Sequence, residues 1–237
     1  MIWVDKWNVF WEYFTEKGGY KVFAEGLGVT MLVASLGLVI GVLIGTLIAV
    51  VKVLPKYKRS VRVFQKICDV YVAFFRGTPI VVQLLLGYFV IPSLIGINIS
   101  SVDVCVVVFG LNSGAYISEI MRSGIQSVDP GQMEAGRALG LSYSVTMMKI
   151  VVPQAIKNIL PTMGNEFIAL IKETSVVSFV GATDICKSFR EIGDSSYDYV
   201  IPYLVMALVY IVIVLAITLL IKLLEKQLNK SERNATV

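Results

Sequence analysis

Five ionisable side chains lie inside long apolar stretches of the chain. They are Glu119, Arg122, Glu166, Lys172 and Glu173. A charged group in a lipid-spanning segment costs roughly 2.5–3.5 kcal/mol on insertion scales, so such groups usually face the protein interior and mark a pathway. A carboxylate there could hold a cationic ligand, but Glu119 and Arg122 are three residues apart and could equally pair on one helix face. Lys172 and Glu173 leave the same two alternatives open.

The composition excludes most kinds of enzymatic site. The chain has no histidine, and its cysteines, Cys68, Cys105 and Cys186, show no CxxC spacing, so neither a zinc site nor a Ser-His-Asp triad can be built. We expect the cysteines to be apolar packing residues and expect no metal site. A net charge of +4 without a basic face or a groove-reading module also argues against nucleic acid as a partner.

The elements that position these residues are predicted to be membrane helices. Apolar residues make up 56% of the 237-residue chain and charged residues only 16%, so several segments must be solvated by lipid. We therefore predict an all-α polytopic membrane protein. Its five transmembrane helices are expected at about residues 26–51, 62–92, 102–125, 156–180 and 199–221. Residues 1–25 are predicted to be an amphipathic interfacial segment rich in aromatic anchors, and residues 226–237 a tail.

The basic residues predict the orientation. The first connection carries basic residues and no acid; they are Lys52, Lys56, Lys58, Arg59 and Arg62. The third connection and the tail are also basic, whereas the opposite regions balance bases with acids. Because basic connections stay in the cytoplasm, the N-terminus is predicted outside and the C-terminus inside.

Two features inside the spans predict special helix geometry. Gly37, Gly41 and Gly45 fall on one helix face, where a neighbouring helix can approach closely. We favour packing within the chain over a dimer seam. Gly77-Thr78-Pro79 predicts a break in the second span, either as a simple kink or as a source of free backbone groups for a ligand.

The connection at residues 126–155 predicts two short helices. Asp129 suits an N-cap, Pro130 the first helical turn, and Gly140 the stop after a helix ending at Leu139. Ser142 can cap a second helix through Lys149, whose extension Pro153 should limit. The small side chains of the first arm, Ala135, Gly136 and Ala138, would allow a close fit into another protein's groove.

The spacing in this connection resembles a known motif. Glu134-Ala135-Gly136, three residues, Gly140, nine residues, then Ile150 and Pro153 resemble the EAA motif of ABC-importer permeases. Gly136 replaces its second alanine and Val152 its leucine. Residues 75–79, 115–125 and 170–175 are similar to the polar amino-acid branch, the histidine/arginine/glutamine-type permeases. The resemblance covers about residues 24–225.

The resemblance implies a fold, partners and a location. It implies a type I ABC importer permease fold in the inner cell membrane, paired with a second permease chain; a homodimer is slightly favoured. The connection would be a coupling helix that sits on a separate ABC ATPase subunit. We call residues 129–153 the coupling segment; its implied coupling residues are Asp129, Pro130, Glu134, Ala135, Gly136, Gly140 and Pro153. An extracytoplasmic amino-acid-binding protein would deliver the substrate.

The same resemblance implies that this chain is not itself an enzyme. No GxxxxGK[ST] phosphate-binding loop occurs, so ATP and Mg would bind the partner ATPase and no cofactor this chain. The alternative is a secondary amino-acid carrier or channel, but the five spans show no convincing internal repeat of the carrier kind.

An amino-acid substrate is a zwitterion, which needs a group for its ammonium and donors for its carboxylate. Glu119 is our candidate for the ammonium, and Thr78 could offer a hydroxyl at the break. Further candidates are Asn112, Tyr116 and Ser175, and Asp198 could receive a cationic side chain. Because four carboxylates lie near this path, we predict a preference for basic amino acids.

Overall fold

The computed structural model describes residues 2–55 and 57–233, with side chains for residues 3–55 and 57–226, and all regular structure in this part is helical. Lys56 and the last four residues of the predicted tail lie outside the described residues. The α-helices are α1 Ile2–Trp11, α2 Gly19–Val53, α3 Arg59–Gly77, α4 Ile80–Leu85, α5 Ile91–Ile95, α6 Ser101–Gln126, α7 Pro130–Ala138, α8 Tyr143–Thr146, α9 Val152–Glu173, α10 Ile185–Ser196 and α11 Val200–Arg233.

The α2–α6 pair forms the centre of the molecule. Gly37, Gly41 and Gly45 are buried against α6, so the prediction of packing within the chain is confirmed. A Cβ atom at Gly41 would lie 2.6 Å from Ser113 Oγ, and one at Gly45 would lie 2.7 Å from Ile117 Cγ2. Only glycine permits this helix separation.

Glycines of α6 complete the seam from the other side. A Cβ atom at Gly110 would lie 2.5 Å from Ile40 Cγ2, and one at Gly114 would lie 2.8 Å from Ile44 Cγ2. Residue numbers rise together along the two helices, so α2 and α6 run parallel. Each helix therefore places β-branched or small side chains against the bare backbone of the other.

The predicted break after Gly77 is confirmed. α3 ends at Gly77, Thr78 is extended (φ −119°, ψ 144°), and the chain resumes as α4 after Pro79. The axes of residues 59–77 and 80–95 differ by 104°. Because proline has no backbone N–H and clashes with a preceding helical carbonyl, it cannot continue α3.

The proline at the end of the coupling segment does not act in the same way. The prediction that Pro153 limits the second helix is wrong, because α8 runs into α9 through a π-helical turn at Met147–Val151. In that turn Val152 N–H reaches back five residues to Met147 O. The wider turn and the place of Pro153 in the first turn of α9 accommodate the missing donor.

The direction of the long elements alternates along the chain. Gly87 packs on Val108 and Val104 of α6, whereas Tyr71, earlier in the chain, donates to Leu111 O, so the α3–α5 unit runs antiparallel to α6. Further contacts pair Gly124 of α6 with Ile159 of α9, Ser113 of α6 with Glu166 of α9, and Gly164 of α9 with Ile221 of α11. Hence α9 runs opposite to α6, and α11 is packed beside it.

One end of the bundle carries an element that the sequence did not indicate to us. The stretch between the fourth and fifth predicted spans contains α10, whose N-cap Asp184 accepts from Cys186 N at 3.0 Å and Lys187 N at 2.9 Å. Phe189 and Ile192 of α10 are buried in one cluster with Phe10 of α1. The spacing of α10's apolar residues, with a capping aspartate before them, was a usable helix signal.

Length and composition mark only some of these helices as candidate membrane spans. Within the described residues, α2, α6 and residues 200–226 of α11 are long and apolar enough to cross a membrane, and the bent α3–α5 unit qualifies as a broken fourth. α9 is more polar, since it carries side chains such as Lys157, Asn158 and Glu166.

Candidate functional site

The first arm of the coupling segment is a helix capped at both ends. Asp129 Oδ1 accepts from Gly131 N at 2.8 Å, and Pro130 occupies the first turn. Gly140 has φ +82°, which only glycine adopts without strain. Leu141 N–H then reaches Gly136 O at 3.1 Å, which closes the helix end. The predicted caps of this helix are confirmed.

The outer surface of α7 carries small, exposed side chains. Glu134, Ala135 and Ala138 are exposed, and the side chain of Leu139 is 82% exposed. The small side chains of Ala135 and Ala138 therefore leave this face of α7 open around the exposed Leu139.

We expected Gly136 to lie with Ala135 and Ala138 on the face of α7 that fits a partner's groove, but it faces the rest of the chain instead. It is buried, and a Cβ atom there would lie 2.5 Å from Thr146 Cγ2. The glycine that replaces the second alanine of the motif therefore sets the closeness of α7 to α8 in this chain.

A small apolar cluster fixes the coupling segment to the bundle. Its buried members are Val128, Val151, Ala155 and Ile159. Met133 of α7 and Met147 of the π-helical turn pack against it, as do Ile120, Met121 and Ile125 of α6. The coupling segment is thus attached to α6 and α9 by apolar contacts.

A four-residue ion network lies between the C-terminal end of α2, the middle of α3 and the C-terminal part of α6. Glu119 Oε1 is 2.7 Å from Lys52 Nζ, and Glu119 Oε2 is 2.7 Å from Arg122 Nη2. Lys52 Nζ also contacts Asp69 Oδ1 at 3.0 Å. The pairing of Glu119 with Arg122 is the structural alternative left open by the sequence. Both oxygens of the Glu119 carboxylate are engaged, so a substrate ammonium would have to compete with two cations.

A cleft of about 520 Å³ opens beside this network between α3, α6 and α9. Arg76 and Tyr116 line its deeper part, with the Arg76 Cζ atom 5.3 Å from the centre of the Tyr116 ring. Glu119, Arg122 and Thr162 line it further towards the coupling segment. Two of the predicted substrate residues, Tyr116 and Glu119, meet in this cleft.

Two others, Thr78 and Asn112, meet at the broken helix instead. Gln83 Nε2 donates to Thr78 Oγ1 at 2.8 Å and to the Phe75 and Thr78 carbonyls at 3.0 Å each. Asn112 Nδ2 in turn donates to Gln83 Oε1 at 3.0 Å. These buried amides satisfy carbonyls that the break removes from the helix ladder, as buried polar groups require.

The last two predicted substrate residues lie elsewhere. Ser175 lines a separate cleft of about 450 Å³ with Lys172 and Tyr210. Asp198 is 2.6 Å from Lys6 Nζ and accepts from Val200 N at 3.0 Å, so it caps the start of α11. The hydrogen bond from Lys6 holds the pKa of Asp198 below its ordinary value.

Sequence reasoning missed four side chains of these sites. Lys52 was used only to predict the orientation, and Asp69 was not identified as a site residue. Arg76 entered only as part of the motif at residues 75–79. Gln83 follows Pro79 by four residues. A long amide at that spacing from a helix break can reach freed carbonyls, which was a signal that could have been used.

Comparison with known proteins identifies the family. Residues 37–230 match the family described as "Binding-protein-dependent transport system inner membrane component". The chain belongs to this family. The arginine transport system permease protein ArtQ of Bacillus subtilis (strain 168) is 39% identical over 76% of this chain and 80% of its own length. GlnP of Rickettsia bellii (strain RML369-C), a permease protein named for glutamine transport, is 41% identical over the same shares.

Solved structures agree with this family assignment. A crystal structure described as an amino acid ABC transporter with histidines has a TM-score of 0.82 and 38% identity, covering 91% of this chain and 98% of that one. The predicted type I importer permease fold is confirmed, as is the prediction of a multi-pass permease of the cell membrane. Such a permease is a transport subunit rather than an enzyme, and membership implies an ATPase subunit and a substrate-binding protein as partners.

Proposed function

We propose that this permease imports polar amino acids by alternating access, driven by a separate ABC ATPase that docks on α7. The observation that carries this proposal is the capped α7 helix, which presents Glu134, Ala135 and Leu139 outward at one end of the membrane helices. The relatives named for arginine and glutamine transport support the class of substrate.

Five membrane crossings account best for the packing. α2 and α6 run parallel, and the antiparallel α3–α5 unit lies between them in the chain, so that unit makes one net crossing. α9 then returns against α6, and α11 packs on α9. α9 is more polar than the other proposed crossings, but its Glu166 contacts Ser113 of α6, so a polar side chain of α9 meets protein there rather than lipid.

The ends of the bundle support the proposed orientation. The coupling segment and the end of α2 lie together, because Tyr143 Oη of α8 donates to Val53 O at 3.2 Å. The basic side chains of Lys58, Arg59 and Arg62 follow that end of α2. By the excess of basic residues, this end faces the cytoplasm. We therefore propose that the end with α1 and α10 faces outward and that the N-terminus lies outside.

For coupling, we assign two kinds of role to the predicted residues. Glu134 and Ala135 form the contact surface. Asp129, Pro130 and Gly140 fix the helix ends, while Gly136 and Pro153 fix how α7 sits on α8 and α9.

The substrate pathway is proposed to follow the cleft beside Arg76 and Tyr116. Arg76 offers a guanidinium for the substrate carboxylate, and the Tyr116 ring, 5.3 Å from Arg76 Cζ, holds that guanidinium in place. The broken helix at Thr78, braced by Asn112, gives the deep end of the pathway its shape. Discontinuous helices at membrane depth are typical of transporter substrate sites.

We assign the basic side chain of the substrate to Glu166, which lies outside the lining of this cleft, on the side of α9 that packs on α6. Its carboxylate is 3.4 Å from the neutral Ser113 Oγ, whereas Glu119 already contacts Lys52 and Arg122. Ser175 and Asp198 lie away from this path and stay predictions. A homodimer remains our proposal for the assembly, since each copy carries its own coupling segment and cleft.

The test is reconstitution of the permease with its ATPase and binding protein in liposomes. We expect ATP-dependent uptake of arginine and its loss without the ATPase. Glu166→Gln should reduce arginine uptake much more than glutamine uptake, while Glu119→Gln should reduce both alike. Uptake that survives removal of the ATPase would favour a secondary carrier or channel. Equal effects of Glu166→Gln on both substrates would remove the basic preference.

A further inference from the structure

The last turn of α2 ends without a helical continuation. α2 stops at Val53, and Leu54, with ψ 139°, leads into Pro55. The final carbonyls of a helix have no intrahelical partner and need other donors. Here the chain supplies those donors from two other elements.

Side chains from α3 and α8 divide these carbonyls between them. Gln65 Nε2 of α3 lies 3.1 Å from Val51 O, 3.4 Å from Lys52 O and 3.0 Å from Leu54 O. The fourth carbonyl, that of Val53, accepts from Tyr143 Oη at 3.2 Å.

Tyr143 makes a direct hydrogen bond from the coupling segment to α2. The residue is 90 positions from Val53 in sequence, and no other hydrogen bond joins α2 to the coupling segment within the described residues. Burial raises the pKa of the Tyr143 hydroxyl, so the group keeps its proton and stays a donor.

The same turn of α2 also carries Lys52. Its ammonium contacts Glu119 of α6 at 2.7 Å and Asp69 of α3 at 3.0 Å. A movement of this turn would therefore shift the ion network that lies beside the proposed substrate cleft.

We propose that Tyr143 is a positioning residue for coupling, which ties the coupling segment to the C-terminal turn of α2 so that displacement of α7 reaches Lys52 and its ion pairs. The inference rests on the proposed function. α9 follows the coupling segment because the chain is continuous there, whereas α2 is remote in sequence and receives the displacement only through contact. A single neutral hydrogen bond is a weak link, so one substitution should interrupt it.

The experiment compares Tyr143→Phe with the wild-type permease, each in liposomes with its ATPase and binding protein. Phenylalanine keeps the ring and removes only the donor. We expect ATP hydrolysis to continue and uptake to fall, so the number of ATP molecules hydrolysed per arginine imported should rise about two- to tenfold. Tyr57→Phe is the matched control, since Tyr57 is 90% exposed in the neighbouring connection, and its ratio should not change.

Hydrogen exchange gives a second readout that does not depend on uptake. Trapping the ATP-bound state should change the exchange of the amides at residues 50–54 in the wild type, and this change should be lost in Tyr143→Phe. An unchanged ratio, or an unchanged exchange response, in Tyr143→Phe would overturn the inference while leaving the proposed function intact. A wild-type complex that shows no ATP-dependent uptake would instead overturn both.

Discussion

Along the seam between α2 and α6, glycines of each helix lie against side chains of the other, whereas α7 turns most of its side chains away from the rest of the chain. At the seam, every one of these contacts is made by residues of the same chain. α7 is capped at both ends, but the side chain of Leu139 after it is 82% exposed. The permease completes the seam within its own chain, whereas α7 presents the exposed surface that we propose the ATPase covers.

The seam should be the more sensitive region to added volume. We expect Gly45→Val to reduce stability by about 3 kcal/mol or to prevent folding, because its Cβ would overlap Ile117 and the Ser118 backbone. Thermal unfolding of the purified permease in detergent would measure the loss. Gly28→Ala in the same helix is the control, since a Cβ atom there meets nothing within 4 Å, and it should stabilise by about 0.5–1 kcal/mol. Equal effects of the two changes would contradict tight packing at the seam.

Substitutions on the exposed surface beside α7 should weaken docking of the ATPase without reducing the stability of the fold. Leu139→Ser is expected to weaken ATPase binding by about 2 kcal/mol, roughly thirtyfold in dissociation constant, because an exposed apolar anchor is lost. The thermal unfolding midpoint should stay nearly constant. Leu94→Ser, at a side chain that is 79% exposed in α5, should leave ATPase binding unchanged. If Leu139→Ser instead lowers the unfolding midpoint and leaves ATPase binding unchanged, Leu139 packs within the chain.

The N-cap tests whether α7 is formed before a partner arrives. Asp129→Ala should cost about 1 kcal/mol of local stability, because Gly131 N–H loses its acceptor. Faster amide hydrogen exchange across α7, with α9 unchanged, is the expected result. Asp129→Asn keeps the acceptor oxygen and should restore most of the protection. If the alanine variant exchanges like the wild type, the cap does not hold the helix.

A third region, α1, is held partly by charge and should respond to acid. Because Lys6 lowers the pKa of Asp198, the pair stabilises the fold fully above the ordinary value of about 3.9, and that stabilisation is lost as the pH falls through the lower folded-state pKa. The effect is small, since both side chains of the pair remain partly exposed to solvent. All three tryptophans, Trp3, Trp7 and Trp11, lie in α1, so their fluorescence reports its detachment. Asp198→Asn should flatten the acid response, whereas Asp5→Asn should not.

Several local features of this permease could be predicted from its sequence. The apolar stretches, the caps Asp129 and Gly140, and the break at Pro79 are local features, because each depends on groups within a few residues along the chain. The family motif added the coupling segment. The sequence by itself therefore determined the long apolar helices of the bundle, the break at Pro79 and the capped helix α7, but not α10 or the full length of α2 and α11.

The tertiary structure decided which side chains meet. Glu119 was equally open to a ligand or to Arg122, and only the approach of α2 brought Lys52 to its second oxygen. Gln83 is held at the helix break because α6 places Asn112 within hydrogen-bond distance of it. Pro153 does not end a helix, because a π-helical turn precedes it. Contacts between residues far apart in sequence depend on the packing of whole helices, which no local pattern encodes.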